Sequence, residues 1–502
     1  MSLSRRLGHG KLKDLVNTTE SVLHSRMKDT VSISGSSILL KQPSISVQEP
    51  MQSAQSYIKS YFEQVHPIYP FLDRKAFEDK AFGPQLRPLL GSNSSWSALY
   101  HTVLALGCQY HDGGTFDAGR GKAWKFFHLA LGLFPDLLIP KGALVNAQAI
   151  FALNFSCLQI DELLVTEAAR IALSLGLNKT NRSGDTESEC RRTFWVIYSL
   201  EKEFCFNDAK PSTILDYDIG CPVPETHVAV FGELDWLLTY VRFSRLLSKA
   251  YESLFSVSAT LNSQQTYFEA IDGLRDDLER WRSSIPDDFQ PGKPFRPHSL
   301  LQPSSTLVAL RIHYSYYNVL IVLSRLTVHI SGQDESQRQS ESMKTLLNAA
   351  RSILDLTKHA DLESYTPIWI LGTMPLAALF ILFDFVVHNP THPETRACLA
   401  YLDIAAGYFS RLEFASGGSC PSSLLSEFTY IARQYYGDAT TSHGFVPSSR
   451  GAQQIFLSMN SMLSTGDWSK TGITSVSSER TKISGQPPKD FGPVLILHTR
   501  PN

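Results

Sequence analysis

Seven cysteines, fifteen histidines and forty-eight acidic residues are the raw material from which this chain could build a chemical site. A pair of zinc ions sharing thiolates needs six closely spaced cysteines, in two runs of the form C-x2-C-x6-C. Here Cys108, Cys157, Cys190, Cys205, Cys221, Cys398 and Cys420 are scattered, mostly inside apolar stretches, which describes core thiols in a reducing compartment. Histidines such as His66, His101, His111 and His313 are never paired at i, i+4 with a glutamate between them, so the helical zinc-hydrolase pattern is missing.

Magnesium chemistry on a helical scaffold needs carboxylates converging on one point. Asp276-Asp277-Leu278-Glu279-Arg280 puts arginine where the third carboxylate belongs, and Asn207-Asp208 is followed by Pro211 where a hydroxyl ligand is needed. Surface acids on helices are the simpler reading of both. Gly8-His9-Gly10-Lys11 is too short to cradle a phosphate, and Ser416-Gly417-Gly418-Ser419 has no strand before it to form a nucleophile elbow. A triad assembled from distant residues stays open at this point. Arg191 and Arg192 make no phosphate-binding stripe by themselves, and structural pairing is the better account of them. Two cations at a helix N-terminus oppose the macrodipole by ~0.3–1 kcal/mol, so a partner is expected nearby. The sequence therefore offers no catalytic residue, no cofactor-binding residue and no metal ligand.

The elements that carry these residues are helical. An apolar share of 43% and an aromatic share of 11% are those of a globular chain, and a net charge of −2 over 502 residues gives no global field for phosphate. Leu164, Ala168, Ile171, Ala172 and Leu175 recur at steps of three and four, and Gly176 supplies the cap that ends their helix. The next helix opens on Glu189, Arg191 and Arg192 and is apolar almost all round from Phe194 to Leu200, so it is expected between other helices. Pro211 cannot continue it, and the acidic run from Asp216 to Pro224 reads as an extended connector. The same periodicity predicts helices over residues 57–65, 96–110, 118–132, 143–159, 234–255, 264–285, 306–326, 342–359, 368–388 and 394–414. Alternation of period two is missing over any useful length, so the fold class is all-α. The uncharged run Ile368 to Phe383 contains Pro375 and falls short of the ~20 residues that span a bilayer, which makes it a buried core helix.

Particular residues also carry a resemblance. Glu-Ala-Ala-Arg-Ile-Ala-Leu-Ser-Leu-Gly-Leu-Asn (Glu167 to Asn178), Arg-Arg-Thr-Phe-Trp (Arg191 to Trp195) and Asp216-Tyr217-Asp218-Ile219 with Pro222-Val223-Pro224 resemble the middle homology region of fungal zinc-cluster transcription factors. Tyr61-Phe62-Glu63 with His66 to Leu72, and Ala105-Leu106-Gly107, are similar to that region's opening helix and turn and its second helix. Downstream, the stretches around Trp281 and around His313, Tyr314 and Tyr317 agree more loosely, and the resemblance extends roughly from Ser56 to Pro390. The chain departs from the family in having Ala209-Lys210-Pro211 where Gly-Arg-Pro is common, so a role tied to that arginine does not carry over. The link between Gln148 and Leu164 is also short for the family.

The resemblance implies a nuclear transcription regulator without its own zinc-cluster module, controlling a pathway-specific gene set such as a secondary-metabolite cluster. The alternative is an all-α enzyme or small-molecule binder on the same scaffold. Implied partners are proteins of the transcription machinery, a DNA-binding subunit, a small-molecule inducer or a second copy of the chain, with no membrane and no sequence-specific DNA contact from this chain alone. Three regions are expected: a flexible arm over 1–55 with a short helix near 12–27, a helical regulatory domain over 56–436, and a flexible tail over 437–502. Within the tail, Ile455, Phe456, Met459, Met462 and Leu463 share one helical face, which either binds a partner or returns to its own domain.

Overall fold

The computed structural model describes residues 49–117, 119–138, 143–153, 161–179, 186–224, 229–297, 300, 304–331, 337–419 and 425–441. The segments expected at 12–27 and 455–463, and Gly8 to Lys11, lie outside the described residues. What is described is all-α, as the periodicity requires. The helices are α1 (Met51–Gln64), α2 (Arg74–Ala81), α3 (Leu86–Ser92), α4 (Ser94–His111), α5 (Gly121–Gly132), α6 (Phe134–Leu137), α7 (Leu144–Leu153) and α8 (Asp161–Ser174). Then come α9 (Glu187–Asp208), α10 (Trp236–Ala250), α11 (Gln264–Ser283), α12 (Ser305–Ile330), α13 (Gln337–Leu356), α14 (Met374–His388), α15 (Thr395–Ala415) and α16 (Leu425–Thr441). A two-residue hairpin, β1 (Val230–Phe231) with β2 (Leu234–Asp235), turns through Gly232 at φ +62° just ahead of α10.

Side-chain caps set several of the starts. Asp73, Asn93, Asp235 and Ser263 each accept from the backbone N–H three residues on, satisfying one of the donors that a helix leaves unpaired. Pro375 lies in the first turn of α14, which continues directly from a single π-helical turn over Trp369–Thr373, a local widening at the proline, which has no N–H to donate. α13 opens at Gln337, ahead of the expected Ser342, because Gln337 bonds to Glu341 at 2.8 Å and Arg338 pairs with Asp272 of α11.

Consecutive helices pack on one another along the chain, and one contiguous core runs from Ala54 to Tyr435. Two helices lie at its centre. α4 is buried from Ser95 to Cys108 between α1, α5 and α7, and the closeness is extreme at Gly107: a Cβ there would stand 1.9 Å from the Tyr57 carbonyl oxygen of α1. α14 is buried from Met374 to Phe383 between α13, α15 and α16. The apolar lengths Ser305–Ile330 and Trp369–His388 could cross a membrane by composition, but 78% and 83% of their apolar windows are covered by the rest of the fold.

Candidate functional site

The sequence pattern places α9 at the junction of the chain, and the structure shows what it joins. α8 ends at Gly176, φ +65°, with Leu177 N–H bonded to the Ala172 carbonyl and Gly176 N–H to that of Leu173. This is a Schellman cap, and it leaves Leu177 and Asn178 buried. The Asn178 carbonyl then accepts from both Gly220 and Cys221 N–H at 2.9 Å, while its side-chain amide donates to the Asp218 carbonyl at 2.8 Å. Trp195 Nε1 donates to the Pro222 carbonyl at 2.9 Å, so the connector after α9 is tied down along its second half.

Its first half is clamped by three residues of α9. Glu201 and Lys202, 1% and 3% exposed, grip the same loop from opposite charge states. The Glu201 carboxylate accepts from Ser212 Oγ at 2.7 Å and from Thr213 N–H at 2.5 Å. The Lys202 ammonium donates to Ser212 Oγ at 2.6 Å and to the Ile214 carbonyl, and stands 3.6 Å from Asp216. Tyr198 donates to Asp216 at 2.8 Å, and burial first, then that carboxylate, push its hydroxyl pKa up. The result is a fixed loop that holds Leu215 and Tyr217 in water, Tyr217 at 87% exposure, between Asp216 and Asp218.

The N-terminal turn of α9 holds the turn after α1. Arg192 donates to the Pro70 carbonyl at 2.9 Å and to that of Leu72 at 3.3 Å, and Thr193 donates to that of Phe71 at 3.0 Å. Gln148 of α7 completes the arrangement by donating to Glu189 at 2.8 Å. Arg191 pairs with Glu187 one turn back, which supplies the partner expected to offset the macrodipole. Both arginines are thus occupied structurally. His66 bonds to the Leu72 carbonyl at 2.9 Å, and burial lowers its pKa to about 4.

A third joint was not anticipated. Arg311 of α12, buried, donates to Glu203 of α9 at 2.8 Å and to Tyr69, and stacks over the rings of Tyr69 and Tyr240 at 5.3 and 5.4 Å. Tyr240 of α10 donates to the same Glu203 oxygen at 2.5 Å, and Trp236 stacks on Tyr240 while donating to the Ile68 carbonyl at 2.9 Å. Burial alone would lower the arginine's pKa, yet Tyr69, Glu203 and Tyr240 outweigh it and raise it. The signal was present in the sequence: Glu201, Lys202, Glu203 and Arg311 are charges set in apolar helices, where burial demands a partner.

The other sequence candidates are spread over the molecule. Asp277 pairs with Lys249 at 2.6 Å and with Arg280, and Glu279 with Arg282 at 2.7 Å, so these acids face cations of their own fold. Asn207 accepts from Asn318 at 3.2 Å. Ser416 to Ser419 form the turn that ends α15. Burial pushes the Cys205, Cys221 and Cys398 thiols up and that of Cys108 to about 11, which leaves them poor nucleophiles. Among the described residues no group of three or more His, Cys, Asp or Glu is placed to hold a metal ion. What α9 builds is a rigid junction and one presented surface, Leu215 to Asp218.

Comparison with known proteins gives this junction a family setting. Residues 58–283, which include the turn after α1, all of α9 and its connector, match the fungal-specific transcription factor domain. An ABC-transporter-regulating transcription factor of Aspergillus oryzae is 26% identical over 427 residues, covering 76% of this chain and 47% of that protein. The fusaridione A cluster transcription factor of Fusarium heterosporum is 24% identical, covering 74% of this chain and 75% of that protein. The fumonisin cluster-specific transcription factor of Gibberella moniliformis is 23% identical over 64% of this chain. The chain spans about half the length of the first of these relatives.

Proposed function

We propose that this chain, which carries a fungal-specific transcription factor domain across residues 58–283, is a transcription regulator whose helical region acts through protein contacts. The observation that supports this best is the domain match itself, whose range includes Glu167 to Asn178 and Arg191 to Pro224, the residues that build the α8–α9 junction and its presented connector. Relatives named for fusaridione A and fumonisin clusters favour a pathway-specific gene set, of the kind that serves secondary metabolism. On this reading the protein works in the nucleus, and residues 56–436 form its regulatory domain. Its partners are proteins of the transcription machinery, a DNA-binding subunit or a second copy, under control of a small-molecule inducer. Sequence-specific contact with DNA comes from outside these 502 residues, since their cysteines are not spaced for a zinc cluster.

The test is to fuse the full chain to an unrelated sequence-specific DNA-binding domain and read a reporter placed under that domain's operator. Expression should rise or fall severalfold relative to the DNA-binding domain alone. A reporter left unchanged by a fusion that is expressed and folded overturns the reading and returns attention to the enzyme or ligand-binding alternative.

A further inference from the structure

Helix α15 has two faces. Cys398, Leu399, Leu402, Ala405, Tyr408, Phe409 and Leu412 are buried in the core beside α14 and α16. On the other side Ala397, Ala400, Ile404, Gly407, Arg411 and Phe414 are all exposed. These positions recur at alternating steps of three and four, the a/d spacing that keeps one line of side chains facing a partner helix. The line runs most of the length of 21 residues, ~31 Å at 1.5 Å per residue. Two of its members are large and apolar: Phe414 is 90% exposed and Ile404 45%. α16 borders the line without covering it, through the ion pair of Arg433 with Asp403.

The order of sizes along the line selects the occupant. If two copies of α15 lie antiparallel about an axis between Ile404 and Gly407, Ile404 of each faces Gly407 of the other. Arg411 then faces Ala400, and Phe414 faces Ala397. Every large side chain meets a small one, the knob-and-hole relation of a close helix pair. A Cβ added at Gly407 would meet nothing within 4 Å in its own chain, so this hollow opens outward and is not filled from within. Charge agrees with size, because the same register brings Arg411 within a turn of the second copy's Asp403, whose side chain is 46% exposed. A generic partner helix would have no reason to match this order; the helix's own reversed sequence does.

We infer that α15 is a self-association surface, on which a second copy of this chain packs its own α15 antiparallel with Ile404 seated over Gly407. The inference gives a surface to the second copy named as a partner in the proposed function, and because it is read from the exposed face of α15 and tested by mass, its failure would leave the regulatory reading untouched. One helix pair buries less than the ~1,200–2,000 Å² of a standard interface, so the dimer is concentration-dependent, not permanent.

Sedimentation velocity on the full chain over a wide concentration range tests this, with far-UV circular dichroism and thermal melting as folding controls. The wild type should pass from the mass of one chain to that of two. Gly407→Ile sets large against large and should raise the midpoint concentration of dimerisation at least about tenfold, as loss of a knob-and-hole layer requires. Its melting temperature should not fall, since the position is open and isoleucine is the better helix former. The double variant Ile404→Ala with Gly407→Ile restores a large-against-small layer and should recover most of the dimer. A wild type that stays monomeric throughout overturns the inference, as does a Gly407→Ile chain that dimerises like the wild type or a double variant that fails to recover.

Discussion

Ala209 is the one non-glycine residue among the described residues with positive φ, at 51°, and it closes α9 where the family commonly has glycine. Lys210 N–H bonds to the Cys205 carbonyl at 2.9 Å across it, so the cap forms in spite of the strain that a Cβ brings to this conformation. We predict that Ala209→Gly stabilises the protein by about 0.5–1 kcal/mol, read as a higher denaturant midpoint with unchanged slope. A lower midpoint would mean that the methyl group packs usefully. The departure at 209 was visible in the sequence, but its cost needs the dihedral angle. Gly176, by contrast, announced its cap through the apolar Leu177 that follows it. A second residue-scale prediction concerns acid. His66 and His313 are held at about 4 by burial, against ~6.5 in an unfolded chain. Between these values the unfolded state binds more protons, so stability falls as pH drops from ~6.5 toward ~4, by on the order of 1–3 kcal/mol per residue. At His388 burial alone would lower the pKa, but the bonds and charge of Asp384 outweigh it and raise it, so this residue works in the opposite sense, stabilising at low pH and fading as pH rises through its folded value. Urea midpoints at pH 7.5 and 5.0 should differ accordingly, and His66→Gln should shrink the difference; an unaltered difference would remove His66 from the account.

At the scale of elements, the longer helices were legible because three- and four-residue steps persist over many turns. α2, α3 and α6 were not, being shorter than the window over which periodicity can be judged. α16 is a different case: Phe428, Ile431, Ala432 and Tyr435 carry the helical spacing plainly, and the serine- and glycine-rich surroundings masked it. The β1–β2 hairpin is too short to give an alternating pattern. How closely elements approach was hidden as well, since Gly107 looks like any helical glycine until α1 is seen against it. Gly107→Ala should therefore separate α1 from α4 and cost at least about 2 kcal/mol, more than the gain in helix propensity of ~1 kcal/mol. Chemical denaturation measures this directly, and a neutral outcome would show that α1 can slide. Phe194, fully buried in α9, gives the companion prediction. Phe194→Ala should lower stability by about 3–5 kcal/mol, and any loss of regulatory activity should track unfolding. An inactive variant that melts like the wild type would make Phe194 part of a contact surface.

For the whole molecule, a net charge of −2 with no arginine stripe predicts weak, sequence-independent DNA binding by these residues alone, no tighter than about 10⁻⁴–10⁻⁶ M at physiological salt. A gel shift showing nanomolar, sequence-dependent binding would defeat that prediction. The joint of Arg311 with Glu203, Tyr69 and Tyr240 has a bearing on time as well as on structure. Glu203 lies 108 residues ahead of the arginine that neutralises it. At ~5–20 residues per second on the ribosome, that separation is a wait of roughly 5–20 s. Over the last 28 residues of it, from 283 to 311 and roughly 1–6 s at that rate, the matched region, residues 58–283, is complete as a stretch of chain but lacks the cation that pairs with its Glu203 carboxylate. The boundary of the matched region is therefore not where the nascent chain can finish folding, and a message truncated after α11 would leave a product whose Glu203 never meets its arginine.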